Sequence, residues 1–467
     1  LTTPFAFVVL LVGAVACLRT AYAGVVATLA VGFLADPVRK LVPGEPLWIS
    51  GLAGAAAVGA LGGMLLRRER VPLSDVHAWS PVLRIPLALT MVWVVVQSAR
   101  AYERTGSATI ASIGLLAYTL PVVALVLGYA AVRRPTDLRR LLVVYVLATA
   151  AMASGTLLSR AGLGGRLVGQ VGPGLRVYDA SGPVLLEAGF FRTPEVAAWH
   201  TSMALGALLL LGVTWRGRLS LLWGGALAGV LAYALVLTGR RKFLVQLGLF
   251  LVLWAFLAWV ARAARARLVV AVVCVLVAAS IVLSTALGAL DRAAEDPLFA
   301  RVAQLGAQTE GRVRNLLVSS VEHVYERSGF LGLGAGAGSQ GSQYYGGGAE
   351  LAGHAAEGGF AKVLAELGVP GLVLLAWLGI AFLRYVVEVV GSPEVSAVPW
   401  ADRAAALGAL VLGNAPTFSI AHQAFGDPMV LCSLGFIAGG LLRLPAALED
   451  VEPAEPARAP ERAAAAT

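Results

Sequence analysis

An all-α bundle that crosses a membrane many times is the fold class this sequence predicts, and three observations predict it. The first is composition: of 467 residues, 58% are hydrophobic and 13% charged, with a mean hydropathy of +0.80. A soluble domain needs far more charge on its surface, and lipid removes that need. The second is pattern. Apolar runs of about 20 residues recur along the chain, as helical spans require. Strands of a membrane barrel would instead alternate polar and apolar at every second residue. The third is charge. Arg-rich connectors occupy every second gap between the runs, which fits the positive-inside bias. The net charge of +9 therefore reads as membrane orientation and not as nucleic-acid binding. Cys17, Cys274 and Cys432 each lie in an apolar run, have no CxxC or metal spacing, and read as small core residues.

Taken in order, residues 1–35 form one long span or two short ones interrupted at Arg19, and the pattern leaves both open. The first apolar run, Pro4 to Leu18, is too short and too unlike an A-x-A cleavage site to be read as a signal peptide. Further spans are predicted at 46–66, 82–99, 108–132, 139–158, 195–213, 219–237, 242–260, 268–288, 361–386, 401–419 and 428–447. That makes about 12 or 13 transmembrane helices, forming a single domain over 1–448. The Pro/Ala/Glu-rich remainder, 449–467, reads as a disordered cytoplasmic tail. RRER (Arg67 to Arg70), RRPTDLRR (Arg133 to Arg140), TWRGR (Thr214 to Arg218) and ARAARAR (Ala261 to Arg267) are the basic connectors, expected to be cytoplasmic. Alternation then puts 100–107, 159–194, 238–241, 289–360 and 420–427 outside, with 289–360 the large extracytoplasmic loop. DPVRK (Asp36 to Lys40) falls outside against the charge bias.

Chemistry is expected where the chain stops looking lipid-soluble. From Gln308 to Gly371 it gathers Arg312, Arg314, His323, His354, Glu357 and Glu366 between apolar segments. A helix is predicted from Glu310 to Arg327, because Val313, Leu316, Leu317, Val321 and Val324 recur at helical spacing. Arg312 and Arg314 fall in its first turns, where cations oppose the helix dipole; a bound anion would relieve that, and so would pairing with Glu310 or headgroups. GFLGLGAGAGSQGSQYYGGG follows. No strand precedes it, so it is no nucleotide fingerprint; it reads as a flexible loop able to approach a ligand closely. His354 and Glu357, three apart, would share a helical face as a base and its orienter, or serve only as a loop residue and a cap. Arg240, Arg241 and Lys242 crowd a short outward connector. They read either as snorkelling cations or as a phosphate site at a helix start. Arg192, Glu195 and His200 lie near another helix start opened by Pro194, with His200 read as an interior histidine.

Four stretches, in order, resemble the O-antigen ligase/polymerase superfamily of bacterial envelope glycan enzymes. AGFFRTPEVAAWHTSMAL (Ala188 to Leu205) is similar to its G-x-F-x-x-P-N-x-x-A segment, and LTGRRKFLVQL (Leu237 to Leu247) to its T-x-S-R-G helix start, which aligns Arg241. EGRVRNLL with GFLGLGAGAGS is similar to S-G-R-x-x-x-W followed by P-L-x-G-x-G-x-G, which aligns Arg312. EGGFAKVLAELGVPGLVLL is similar to H-N-x-x-L-x-x-L-A-E-x-G-x-x-G. The resemblance covers roughly 180–440. In the last motif Glu357 stands where the ligases keep histidine, His354 lies one turn earlier, and Gly358 replaces Asn. The base is thus Glu357 or a shifted His354, and the departure leans toward a polymerase or a ligase with another acceptor.

The resemblance implies a bacterial inner-membrane, GT-C-like glycosyltransferase with its site facing the periplasm or cell exterior. Its donor would be an undecaprenyl-diphosphate-linked saccharide and its acceptor a glycan or lipid-glycan hydroxyl, with membrane lipids around it. No cofactor or metal is implied. The leaving diphosphate gains negative charge; with no Asp-x-Asp motif outside the membrane, Arg192, Arg240, Arg241, Arg312 and Arg314 would stabilise it. Direct displacement would invert the anomeric centre. A polytopic transporter or lipid-linked glycan flippase is the competing class, but it would place its charges at mid-membrane on broken helices. A peptidoglycan polymerase of the shape–elongation–division type would need a catalytic Asp, and Asp291 and Asp296 lack convincing context.

Overall fold

The computed structural model describes residues 2–67, 81–171, 176–179, 182–212, 218–261, 318–339, 358–391, 401–420 and 422–449. Among these, ten helices are long and apolar enough to cross a membrane. The chain opens with two helices, α1 (Thr2–Ala16) and α2 (Ala21–Leu41). Thr20 separates them: its side-chain oxygen accepts from Ala23 N at 3.1 Å and caps α2. A 3-10 turn (Leu47–Gly51) leads into α3 (Leu52–Leu66), followed by α4 (Pro81–Thr105), α5 (Ala108–Ala131) and α6 (Pro135–Arg160). The start of α6 is fixed by Pro135 in its first turn and by Asp137, which accepts from Arg134 N at 2.9 Å.

Between α6 and the next span, β1 (Arg176–Asp179) pairs antiparallel with β2 (Gly182–Leu185), with Arg176 opposite Leu185. The sequence predicts no strand there, since four residues are too few to show alternation. Next come α7 (Pro194–Gly212), α8 (Arg218–Leu237), α9 (Arg241–Val260), the short α10 (Ser320–Ser328) and the long α11 (Gly359–Gly391). The helix predicted over Glu310 to Arg327 is seen only in its last turns as α10; its start lies outside the described residues, as do the predicted span 268–288 and the tail from 450.

The predicted span 401–419 is corrected. It is two helices, α12 (Ala401–Leu412) and α13 (Ala415–Ile420), which bend at Gly413 and Asn414. Asn414 caps the break from inside: its Nδ2 donates to Leu410 O at 2.8 Å, and its Oδ1 accepts from Trp199 Nε1 at 2.8 Å and Gln246 Nε2 at 3.1 Å. Hydropathy alone does not register an amide that replaces a helical bond. The last helix is α14 (Pro428–Glu449).

The most extensive helix pair is α5 with α14, and small residues make it close. A Cβ on Gly439 would stand 2.0 Å from Leu125 O, and one on Gly128 would stand 2.4 Å from Phe436 O. Backbone-to-backbone packing of this kind replaces the hydrophobic drive that lipid cannot supply between helices. Around this pair the helices alternate in direction, so that the connectors expected outside meet at one end of the bundle. Lys40 at the end of α2 donates to Gly189 O at 2.7 Å, Glu187 N reaches Leu237 O at 3.4 Å, and Ala335 N reaches Gln97 O at 3.0 Å.

Candidate functional site

The site grows from the turn between α8 and α9. Thr238 Oγ1 donates to Leu235 O at 2.6 Å and closes α8. Gly239 then takes φ +64°, a conformation that reverses the chain and that other residues resist. Three consecutive cations follow at the start of α9. Arg240 Nη2 lies 2.7 Å from Glu195 Oε2, and Lys242 Nζ lies 3.4 Å from Glu195 Oε1. Arg241, the first residue of α9, is half-buried. Ser202, on α7, ties that helix to α9 by donating to Phe243 O at 3.0 Å.

Electrostatics at this corner are lopsided. Glu195 stands in the first turn of α7, where a carboxylate suits the positive end of the dipole. Arg240, Arg241 and Lys242 stand at the start of α9, where cations are disfavoured. Helix stability does not explain them; Glu195 pairs with Arg240 and Lys242. A concentrated positive field at a helix N-terminus, on the end of a membrane bundle, is suited to an anion.

Arg192, one turn before Glu195, is engaged differently. Its Nη2 lies 2.7 Å from Asp427 Oδ2, and its backbone N donates to Asp36 Oδ2 at 3.0 Å. Burial alone would lower the pKa of this guanidinium, but the carboxylates of Asp427 and Asp36 outweigh it and the net direction is upward, so Arg192 stays a cation. Asp427 also caps α14 by accepting from Met429 N at 2.8 Å and Val430 N at 3.0 Å. His200 is fully buried among Phe33, Phe191 and Trp199, with Tyr145 OH 2.9 Å from its Nδ1, as expected of an interior histidine.

The glycine-rich stretch is described over 329–339, and there its close approaches are to protein. Leu333 N donates to Ala365 O at 2.7 Å, and Val369 N donates to Phe330 O at 2.9 Å. A Cβ on Gly334 would stand 2.5 Å from Ala101 N, and one on Gly336 2.1 Å from Ile110 O. The expected flexible loop is, over this length, a backbone plug between α4, α5 and α11.

The structure thus brings Arg240, Arg241 and Arg192 to one end of the bundle. Arg312, Arg314, His354 and Glu357 lie outside the described residues. Sequence reading missed Asp427 as the partner of Arg192 and Glu195 as the partner of Arg240. Both pairs join segments distant in sequence, and no local spacing announces them.

Comparison with protein families matches residues 226–376 to the O-antigen ligase family. The match supports the resemblance seen in the sequence and places this segment in the O-antigen ligase/polymerase superfamily. It includes Arg240, Arg241, Arg312, Arg314, His354 and Glu357, while Arg192, Glu195 and His200 lie before it. A comparison with curated proteins gives no match.

Proposed function

We propose, from that superfamily placement, that this polytopic membrane protein moves a saccharide from undecaprenyl diphosphate to an acceptor hydroxyl of a glycan or lipid-glycan, without a metal. The observation that carries the reading is the cluster at the start of α9, where Arg240, Arg241 and Lys242 stand together beside one carboxylate. In the reaction the acceptor oxygen attacks the anomeric carbon as the bond to the diphosphate breaks. The bonding electron pair departs with the phosphate oxygen, and the acceptor proton passes to Glu357 or His354. One displacement inverts the anomeric centre. Arg240, Arg241, Arg312 and Arg314 meet the charge that grows on the leaving group, the place where fixed donors lower a barrier most. Arg192, engaged with Asp427, braces the α7 start from which Glu195 holds Arg240.

The test is transfer from a radiolabelled lipid-linked oligosaccharide by the purified full chain in EDTA. The wild type should be active there. Arg241→Ala and Arg312→Ala should each lose about 100-fold or more, while still inserting. Glu357→Gln and His354→Ala should differ sharply, the slower one marking the base. Full activity in both arginine variants, or loss in EDTA restored by Mg²⁺, would overturn the reading.

A further inference from the structure

A buried cavity lies beside the brace that holds the start of α7. Phe33 and Asp36 of α2, Arg192, His200 of α7, and Asp427 with Met429 at the start of α14 are among the residues that line it. It has room for about one water molecule. One atom points to an occupant. His200 has no exposure to solvent, and its Nε2 is buried with no hydrogen-bond partner among the described residues. The other ring nitrogen is engaged, with Tyr145 OH 2.9 Å from Nδ1. With Nδ1 turned to Tyr145, Nε2 is the polar edge left to face the cavity. A buried nitrogen without a partner is costly and rare. Packing does not require it: the imidazole stacks on Phe191 at an interplanar angle of 8°, and a phenyl ring would stack there as well.

The same cavity offers an acceptor. Asp36 accepts from Arg192 N through Oδ2, which leaves Oδ1 without a donor among the described residues. Asp427 has no such oxygen to spare: Oδ1 accepts from Met429 N and Val430 N, and Oδ2 faces Arg192. Charge decides the kind of occupant. Asp36 and Asp427 are matched by Arg192 and by Lys40, one turn along α2 and within electrostatic reach of Asp36. The walls are thus balanced, and a buried ion would upset them. No group of His, Cys, Asp and Glu among the described residues could hold a metal ion. Water is the neutral polar molecule of this size. It donates and accepts, so it satisfies Nε2 in either tautomer of His200.

We propose that the cavity between α2, α7 and α14 is a binding site for a single water molecule, which bridges His200 Nε2 to Asp36 Oδ1. The bridge ties α2 to α7 beside the turn that carries Arg192, and it accounts for a histidine among Phe33, Phe191 and Trp199. The site stands whether or not the transfer reading does. X-ray radiolysis of the full chain in detergent tests it, because a bound water becomes a hydroxyl radical in place and oxidises the side chain it touches. Met429 lines the cavity and Met152 does not, yet both have an exposure of 7%, so radicals from bulk solvent should reach them alike. In the wild type Met429 should be oxidised several times faster than Met152. His200→Leu removes the nitrogen, and Val196→Ile pushes a methyl group into the cavity. Each should bring Met429 down to the rate of Met152. Equal rates in the wild type overturn the proposal with no variant needed. Undiminished Met429 oxidation in the variants that elute as folded protein overturns it too. If neither variant folds, the wild-type comparison alone decides.

Discussion

Lys40 lies at an end of the bundle expected to face outward, against the charge bias, and its surroundings explain why it is tolerated there. Its Nζ donates to Leu167 O at 3.0 Å and to Gly189 O and Phe191 O at 2.7 Å each. Arg39 beside it donates to Glu45 O and Ser50 Oγ, both at 2.9 Å. In the folded protein Lys40 brackets backbone, and Arg39 brackets the Glu45 carbonyl and the Ser50 hydroxyl. Lys40→Met should strip three carbonyls of their donor and lower stability by on the order of 3 kcal/mol, measured as thermal unfolding of the detergent-solubilised protein; an unchanged midpoint would contradict the bracket. At this scale the sequence was half legible. Lys40, Arg192 and Arg240 stood out because charge is rare in so apolar a chain. Their partners did not, because Asp427 lies 235 residues from Arg192 and only the packed helices bring the two together.

At the scale of elements, the long spans were readable and the irregular pieces were not. Hydropathy marks where a helix must be apolar, so α4 to α9 fall within a few residues of their predicted bounds. It is blind to a side chain that mends a broken helix, as Asn414 does between α12 and α13. The glycine plug teaches a related lesson. Absence of Cβ permits mobility and also permits two backbones to touch, and composition cannot separate the two. A paired substitution does separate them. Gly336, at φ +93°, would place a Cβ 2.1 Å from Ile110 O, whereas Gly329, at φ +66°, meets nothing within 4 Å. Gly329→Ala should cost on the order of 1–3 kcal/mol of backbone strain, since φ +66° with ψ −172° is a conformation only glycine adopts readily, and Gly336→Ala clearly more, since α5 backbone must move. Equal unfolding midpoints for the two would show that the plug does not press on α5.

For the whole molecule, the alternation of basic connectors foretold that the outward turns would share one end, and those among the described residues do, as the contacts of Lys40, Glu187 and Ala335 show. The remaining assignment is which end faces the cell exterior. In a background lacking the natural cysteines, Glu103→Cys should react with an impermeant maleimide on intact cells, and Arg139→Cys only after permeabilisation; both sites are exposed at opposite ends of the bundle. The reverse pattern would turn the bundle over and move the site away from the side on which the proposed reaction requires it. What sequence alone could not give was the meeting of distant corners, such as α7 with α9 through Glu195, since each corner looks ordinary by itself. Lys40 carries the matter into biogenesis. The carbonyls that neutralise it lie 127 to 151 residues downstream, so the ribosome has yet to make them when α2 reaches the translocon. The α2–α3 hairpin is therefore expected to enter the bilayer carrying an unanswered charge near its turn, and to settle its final orientation only once the later helices have been threaded in beside it.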